Sequence, residues 1–190
     1  VFHNMQENND VKCFYVDLYQ TDSLELLVKK LADTIPGFKV DVEPGQAEYS
    51  LSEIFAYMEQ SDYRCFVAFD EFQTIAGYAD KNVEALLRSY IQRLTNVHFI
   101  FSGSQRHVLE NMFVSASRPF YQSTQMMPLG TIDENAYYMF SSEKMRKIGQ
   151  SIDRDTFDYI YTKLSSHTWY VHTLLNRLYE TGYETINKDT

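Results

Sequence analysis

The segment that most constrains the fold spans residues 63–73 and reads YRCFVAFDEFQ. Its apolar run, residues 65–69, is followed at once by two carboxylates, Asp70 and Glu71. An apolar run without alternation is typical of a parallel strand covered on both faces. Because unpaired carboxylates are costly to bury, we expect both acids at the C-terminal edge of the sheet, where ligands bind in open α/β sheets. Two acids after a strand could equally begin a turn or cap a helix.

A second apolar run, residues 97–101, also ends in small polar residues, Ser102 and Ser104 around Gly103. Between the two runs, residues 81–94 predict a helix with one apolar stripe and an N-cap at Asp80. Strand, helix and strand together span about 40 residues, enough for a right-handed parallel crossover. Two polar strand tips are therefore expected side by side.

The remaining elements follow from periodicity and from start and stop signals. We predict a strand at 12–18, a surface loop at 72–79, in which Gln73 lies, and an edge strand at 120–127. Pairs of capping residues predict two helix starts, Asp22 with Glu25 and Ser50 with Glu53. From residue 133 onward the pattern is purely helical, with helices expected at 135–148, 153–164 and 168–179. These patterns predict an α/β core over residues 1–130 and a helical subdomain over residues 131–190.

Composition narrows the class of protein. The formal net charge is −9 and the pI is near 5.0, with scattered basic residues, which argues against a nucleic-acid partner for this region. The sequence shows no apolar stretch of the 18 or so residues needed to cross a bilayer, so no membrane association is expected. Cys13 and Cys65 both fall in predicted strands and read as buried thiols in a reducing cytoplasm.

Four segments, in chain order, resemble the AAA-type prokaryotic ATPases described mainly from archaea and related to the STAND NTPases. They read CFVAFDEFQTIAGY, LLRSYIQRL, HFIFSGSQ and SRPFYQSTQMMPLG. The resemblance covers roughly residues 11–180. It implies a P-loop NTPase-like three-layer α/β fold with a parallel sheet, followed by a helical lid. It also implies ATP and Mg²⁺ as ligands.

One departure from that family matters more than the matches. No G-x-x-x-x-G-K-[ST] phosphate-binding motif occurs in these residues. We therefore expect a fragment that starts just after the phosphate-binding loop and is inactive alone. The family's first strand, which lies mid-sheet, would also be missing, so we expect rearranged strands, a partner chain in the gap, or a piece cut from a larger fold.

The resemblance assigns roles to individual residues. Asp70 would hold the Mg²⁺ shell through water, and Glu71 would orient the attacking water, as in a Walker B element. Ser102, or alternatively Ser104, would be the sensor at the next strand tip. Gln73 could reach a water or a phosphate, although a solvated loop glutamine explains it as simply.

Arg118 matches the place of an arginine finger, which acts on a neighbouring subunit and so implies a homo-oligomer. An ion pair with a surface acid explains Arg118 equally well, and Arg106 is the rival candidate. His167 and His172 have poor spacing for metal ligands on one helix. Nothing in the sequence supports a nucleophilic triad.

Two functions from different classes remain. The first is an ATP-binding, ATP-hydrolysing molecular switch of which this chain is a part. The second is a degenerate, non-hydrolysing module that uses the same fold to bind a partner or to oligomerise.

Overall fold

The computed structural model describes residues 10–38, 42–80 and 82–188. The chain divides into two compact units, Val1–Gln125 and Met126–Thr190. The first unit contains the parallel sheet and carries every residue for which the sequence predicted a catalytic or ligand-binding role. The second contains helices and one small two-stranded sheet.

The sheet of the first unit has three parallel strands in the order β1-β2-β3. These are β1 (Val11–Asp17), β2 (Arg64–Asp70) and β3 (Val97–Phe101). The predicted crossover unit is therefore confirmed, and β2 is central. Asp17 of β1 lies opposite Asp70 of β2, and Phe101 of β3 lies opposite Phe69. All three strands thus end at one edge, and within the described residues β3 is an edge strand.

Five helical segments connect and follow these strands. They are α1 (Leu24–Asp33), α2 (Ala47–Glu59), a 3₁₀ helix (Phe72–Gly77), α3 (Val83–Ile91) and α4 (Arg106–Val114). The amphipathic pattern predicted the helices α1, α2 and α3, but not their caps. Ser23 rather than Asp22 caps α1, and α2 begins at Ala47, so Ser50 is a buried residue inside it. Asp80 does not cap α3; its Oδ2 accepts the backbone N–H of Leu24, 2.7 Å away.

The hydrophobic core of this unit lies on one face of the sheet. Strand residues Phe14, Val16, Val67 and Phe69 join buried residues of α1 to α4 there. The other face is different: Tyr15 is 53% exposed and Ile100 is 42% exposed. Within the described residues the core cluster therefore covers one face, whereas the apolar run of β2 led us to expect cover on both.

Two segments differ from their predicted structure. Residues 72–79 are not a surface loop, because the 3₁₀ helix buries Phe72, Gln73 and Ile75. Residues 120–127 are not a strand: they form turns and irregular backbone, with Phe120 buried in an aromatic cluster. The alternation in that segment reflects one buried aromatic anchor and not pairing to the sheet.

The second unit holds α5 (Glu134–Arg146), α6 (Arg154–Lys163) and α7 (Thr168–Glu180). Two short parallel strands, β4 (Ser151–Ile152) and β5 (Thr185–Ile186), pair with each other. The sequence predicted the three helices but missed both strands, which are only two residues long. The hydrophobic core of the second unit includes Phe157, Val171 and Ile186. Among the described residues, none of the helices has the length and apolar character required to cross a membrane.

Candidate functional site

The acids follow β2 at the edge where all three strands end. Pairing with β3 continues past the strands, since the Ser102 N–H donates to the Phe69 carbonyl (2.9 Å) and the Phe72 N–H donates to the Ser102 carbonyl (3.0 Å). These two bonds fix the segment after β2 against the segment after β3. The polar tips that the sequence placed side by side are therefore in direct contact.

Asp70 is held by three neutral donors. Its Oδ2 accepts the Tyr15 hydroxyl at 2.5 Å, and its Oδ1 accepts the Ser102 hydroxyl at 2.7 Å and the Glu71 N–H at 3.0 Å. The hydrogen bond from Tyr15, followed by that from Ser102, holds the pKa of Asp70 below its usual value. Asp70 therefore stays ionised well into acid conditions.

Tyr15 is a site residue that the sequence analysis missed. The same contact with Asp70 raises the pKa of the Tyr15 hydroxyl to about 12, so it remains a donor at neutral pH. The signal was present only in part: β1 was predicted, but which of its residues lies beside Asp70 depends on the register of β1 against β2. That register is a tertiary property.

Glu71 lies in the left-handed region of backbone space, with φ of +52°. For a residue with a Cβ this conformation is uncommon and marks a tightly determined turn. Its Oε2 accepts the Ser104 hydroxyl at 2.9 Å and the side-chain amide of Gln73. Among the described residues no hydrogen bond or ion pair involves its Oε1, so one carboxylate oxygen is available.

Gln73 lies beneath this cluster and is only 5% exposed. Its Nε2 donates to Glu71, whereas its buried Oε1 has no hydrogen-bond partner among the described residues. A Cβ placed on Gly103 would come within 1.9 Å of that Oε1. Gln73 is therefore neither a solvated loop residue nor placed to reach outward, and it packs against the glycine between the two serines.

Arg118 lies apart from this cluster, in an ion pair with Glu84 at the start of α3. The side chains are 30% and 11% exposed. Arg118 Nε and Glu84 Oε2 are both buried, and neither has a hydrogen-bond partner in the part of the chain that the structure describes. Burial raises the pKa of Glu84, against the opposing effect of Arg118. Arg106, the rival candidate, is 76% exposed and pairs with Glu110 on its own helix at 2.7 Å. The structure thus brings together five of the six predicted residues: Asp70, Glu71, Gln73, Ser102 and Ser104.

The chemistry of the donor set suits a hard cation held through water. Asp70 keeps its charge, its Oδ2 accepts one hydrogen bond among the described residues, and no described donor reaches Glu71 Oε1. These oxygen atoms could therefore accept hydrogen bonds from Mg²⁺-bound water. Within the described ranges no three His, Cys, Asp or Glu residues converge as a direct metal cage. That donor set fits an ion held mainly by water and phosphate rather than by protein alone.

Comparisons with solved structures agree with this architecture. The Aeropyrum pernix ORC2 protein in its ADPNP–ADP complexes superposes with a TM-score of 0.59 at 17% identity, covering 76% of this chain and 38% of that one. The Walker-type ATPase of Pyrococcus abyssi gives a TM-score of 0.61 at 18% identity, covering 83% and 52%. The ADP form of the ORC2 protein gives 0.58 at 17% identity, covering 76% and 39%.

At this level of identity the likeness establishes the fold alone. The chain has the α/β, parallel-sheet fold of P-loop ATPases. It spans about half the length of these structures or less. No protein-family model matches the sequence, and no curated protein matches it either.

Proposed function

We propose that this chain carries the Walker B and sensor portion of an ATP-hydrolysing, AAA-type molecular switch. The observation that supports it most is the placement of Asp70 and Glu71 at the carboxyl end of the central strand, joined by hydrogen bonds to Ser102 and Ser104 of the adjacent strand tip. This edge is where ligands bind in open α/β folds. The likeness to an ATPase fold makes a nucleotide the favoured ligand.

In this proposal each side chain has a separate task. Asp70, kept ionised by Tyr15 and Ser102, holds water of the Mg²⁺ shell. Glu71 orients the attacking water with its open Oε1. Ser102 already binds Asp70, so it is suited to sense the metal and γ-phosphate through the same carboxylate. No G-x-x-x-x-G-K-[ST] motif occurs in these residues, so in this proposal the phosphates need a binding element that is not among them.

An arginine-finger role for Arg118 would require the structure to change. Its guanidinium binds Glu84, so a role in trans on a neighbouring subunit requires that ion pair to open. We retain a homo-oligomer as part of the proposal only through this residue. Measuring ATP turnover against protein concentration for the wild type and Arg118→Lys tests it, since a finger in trans makes specific activity rise with concentration.

The main experiment measures Mg-ATP binding and turnover in the natural full-length protein, with the isolated 190-residue chain beside it. We expect Mg-ATP binding only where a phosphate-binding loop is present, because that loop supplies the main contacts to the phosphates. Glu71→Gln should keep nucleotide affinity and reduce turnover by about 10²-fold or more, because the charge that orients water is lost while the shape remains. Unchanged turnover in Glu71→Gln would remove Glu71 from the mechanism.

A second function, a non-hydrolysing interaction module, is favoured by one observation. Tyr15 and Ile100 leave one sheet face partly exposed, and β3 is an edge strand within the described residues. Exposed strand edges and apolar faces are typical contact surfaces. If the full-length protein binds no Mg-ATP by calorimetry, this function replaces the first.

A further inference from the structure

The contact between Gln73 and Gly103 gives the site a feature that Walker B chemistry does not require. Gln73 extends from the 3₁₀ helix after β2, and Gly103 lies in the segment after β3. A buried amide from one strand tip thus fills the space left by a glycine on the other. The amide also donates to Glu71, so one side chain links the Gly103 segment to the carboxylate proposed to orient water.

Burial makes this link specific. At 5% exposure the Gln73 amide has little freedom to change rotamer, and its Oε1 gains no hydrogen bond in the described surroundings. Leaving a buried amide oxygen without a hydrogen bond is energetically unfavourable. The unpaired Oε1 is explained if the hydrogen bond from Gln73 Nε2 to Glu71 is needed to hold the Glu71 carboxylate in place.

Ser104 supplies the second donor to the same oxygen. The Ser104 hydroxyl and the Gln73 amide both donate to Glu71 Oε2. The other carboxylate oxygen, Oε1, therefore remains to bind a water or ligand. Ser104 comes directly after Gly103, so the segment after β3 acts on Glu71 in two ways: through Ser104 directly and through Gly103 by way of Gln73. A shift of this segment therefore changes the position of Glu71.

We propose that Gln73 is a positioning residue that holds the Glu71 carboxylate, and that Gly103 is the seat for its amide. Gln73 does not touch nucleotide. This inference rests on the proposed ATPase function for its kinetic test, but its structural test does not.

The kinetic test uses Gly103→Ala in the full-length protein. The added Cβ would lie 1.9 Å from Gln73 Oε1 and 3.1 Å from Leu109 Cδ1, which are ends of side chains and not backbone, so we expect the fold to survive while the Gln73 amide is displaced. We expect Gly103→Ala and Gln73→Ala each to lower kcat for ATP by about 10–100-fold, because small misplacements of a catalytic group have effects of that size. KM should change by less than about 3-fold, since nucleotide contacts are intact.

The double variant decides the mechanism. If Gly103 acts only through Gln73, adding Gly103→Ala to Gln73→Ala produces no further loss. Losses that multiply in the double variant overturn the proposal. Gly77→Ala is the matched control: Gly77 ends the same 3₁₀ helix, and a Cβ there meets nothing within 4 Å, so wild-type kinetics are expected.

The structural test separates this inference from the proposed function. The Gln73 side-chain amide protons are followed by ¹⁵N NMR in the wild type, in Glu71→Gln and in Gly103→Ala. Slow hydrogen exchange of these protons in the wild type, lost in Gly103→Ala, supports the positioning role of Gln73 even in a protein without ATP turnover. Rapid exchange in the wild type overturns that role even in an active ATPase.

Discussion

The first unit holds carboxylates in two different ways, at the Asp70–Glu71 cluster and at the Glu84–Arg118 ion pair. Asp70 and Glu71 are held by neutral donors, namely Tyr15, Ser102, Ser104 and Gln73. Glu84 is held by a charged partner, Arg118, in a poorly exposed pair. Neutral donors fix a carboxylate without cancelling its charge, whereas an arginine neutralises it. The comparison distinguishes acids that can act on a cation from an acid that joins two parts of the fold.

The largest expected effect on stability is at the Glu84–Arg118 ion pair. Arg118→Ala should lower the free energy of unfolding by ~3 kcal/mol, because it leaves the Glu84 carboxylate buried without its partner. Chemical denaturation measures this loss. Arg106→Ala is the control, because its ion pair is exposed and its removal should cost less than about 1 kcal/mol.

A paired replacement sharpens the same point. Glu84→Leu combined with Arg118→Met should recover most of the stability lost in Arg118→Ala, because an apolar pair requires no charge in the interior. If the double variant is as unstable as Arg118→Ala, the ion pair stabilises the fold through its specific hydrogen bond and not only through charge neutralisation.

The two clusters should also respond to pH with opposite signs. The pKa of Asp70 is depressed below 3.8, so its contribution to stability is complete above that value and is lost as pH falls further. The pKa of Glu84 is raised above 4.5, so its contribution decreases as pH rises from 4.5 through the folded pKa.

Difference curves of unfolding free energy against pH measure both effects, using wild type minus Asp70→Asn and wild type minus Glu84→Gln. Slopes of the same sign in the two difference curves would contradict the distinction between the clusters.

The smallest effect is expected at Tyr15. Tyr15→Phe removes the first of the donors to Asp70, so the pKa of Asp70 should rise toward its usual value. Carbon-detected NMR of the Asp70 carboxyl across acid pH measures the shift. Tyr19→Phe, an exposed tyrosine two residues past β1, is the control and should leave the Asp70 pKa unchanged.

The sequence predicted the position of the acids at the strand tips and most of the helices. The apolar runs and the residues after them placed Asp70 beside Ser102, because parallel strands end at a common edge. The helices and the α/β architecture followed from periodicity. The prediction of an edge strand at 120–127 was wrong. Alternation of apolar and polar residues over a few positions does not distinguish strand pairing from the burial of a single aromatic residue, Phe120.

Other features were not predictable from local pattern. Gln73 was expected in a loop, since no short-range signal marks a 3₁₀ helix that turns inward. Tyr15 was missed because its partner is 55 residues away in sequence. An ion pair between Arg118 and a surface acid was one of two open alternatives. Packing selected Glu84 as the partner, an acid that is only 11% exposed.

By itself the sequence determined the parallel sheet and the acidic tip of its central strand, because both depend on local hydrophobicity and the cost of burying charge. Tertiary structure alone decided which neutral side chains hold those acids and that Gly103 makes room for the Gln73 amide. Such contacts join residues distant in sequence. They depend on strand register and side-chain volume, which no single segment specifies.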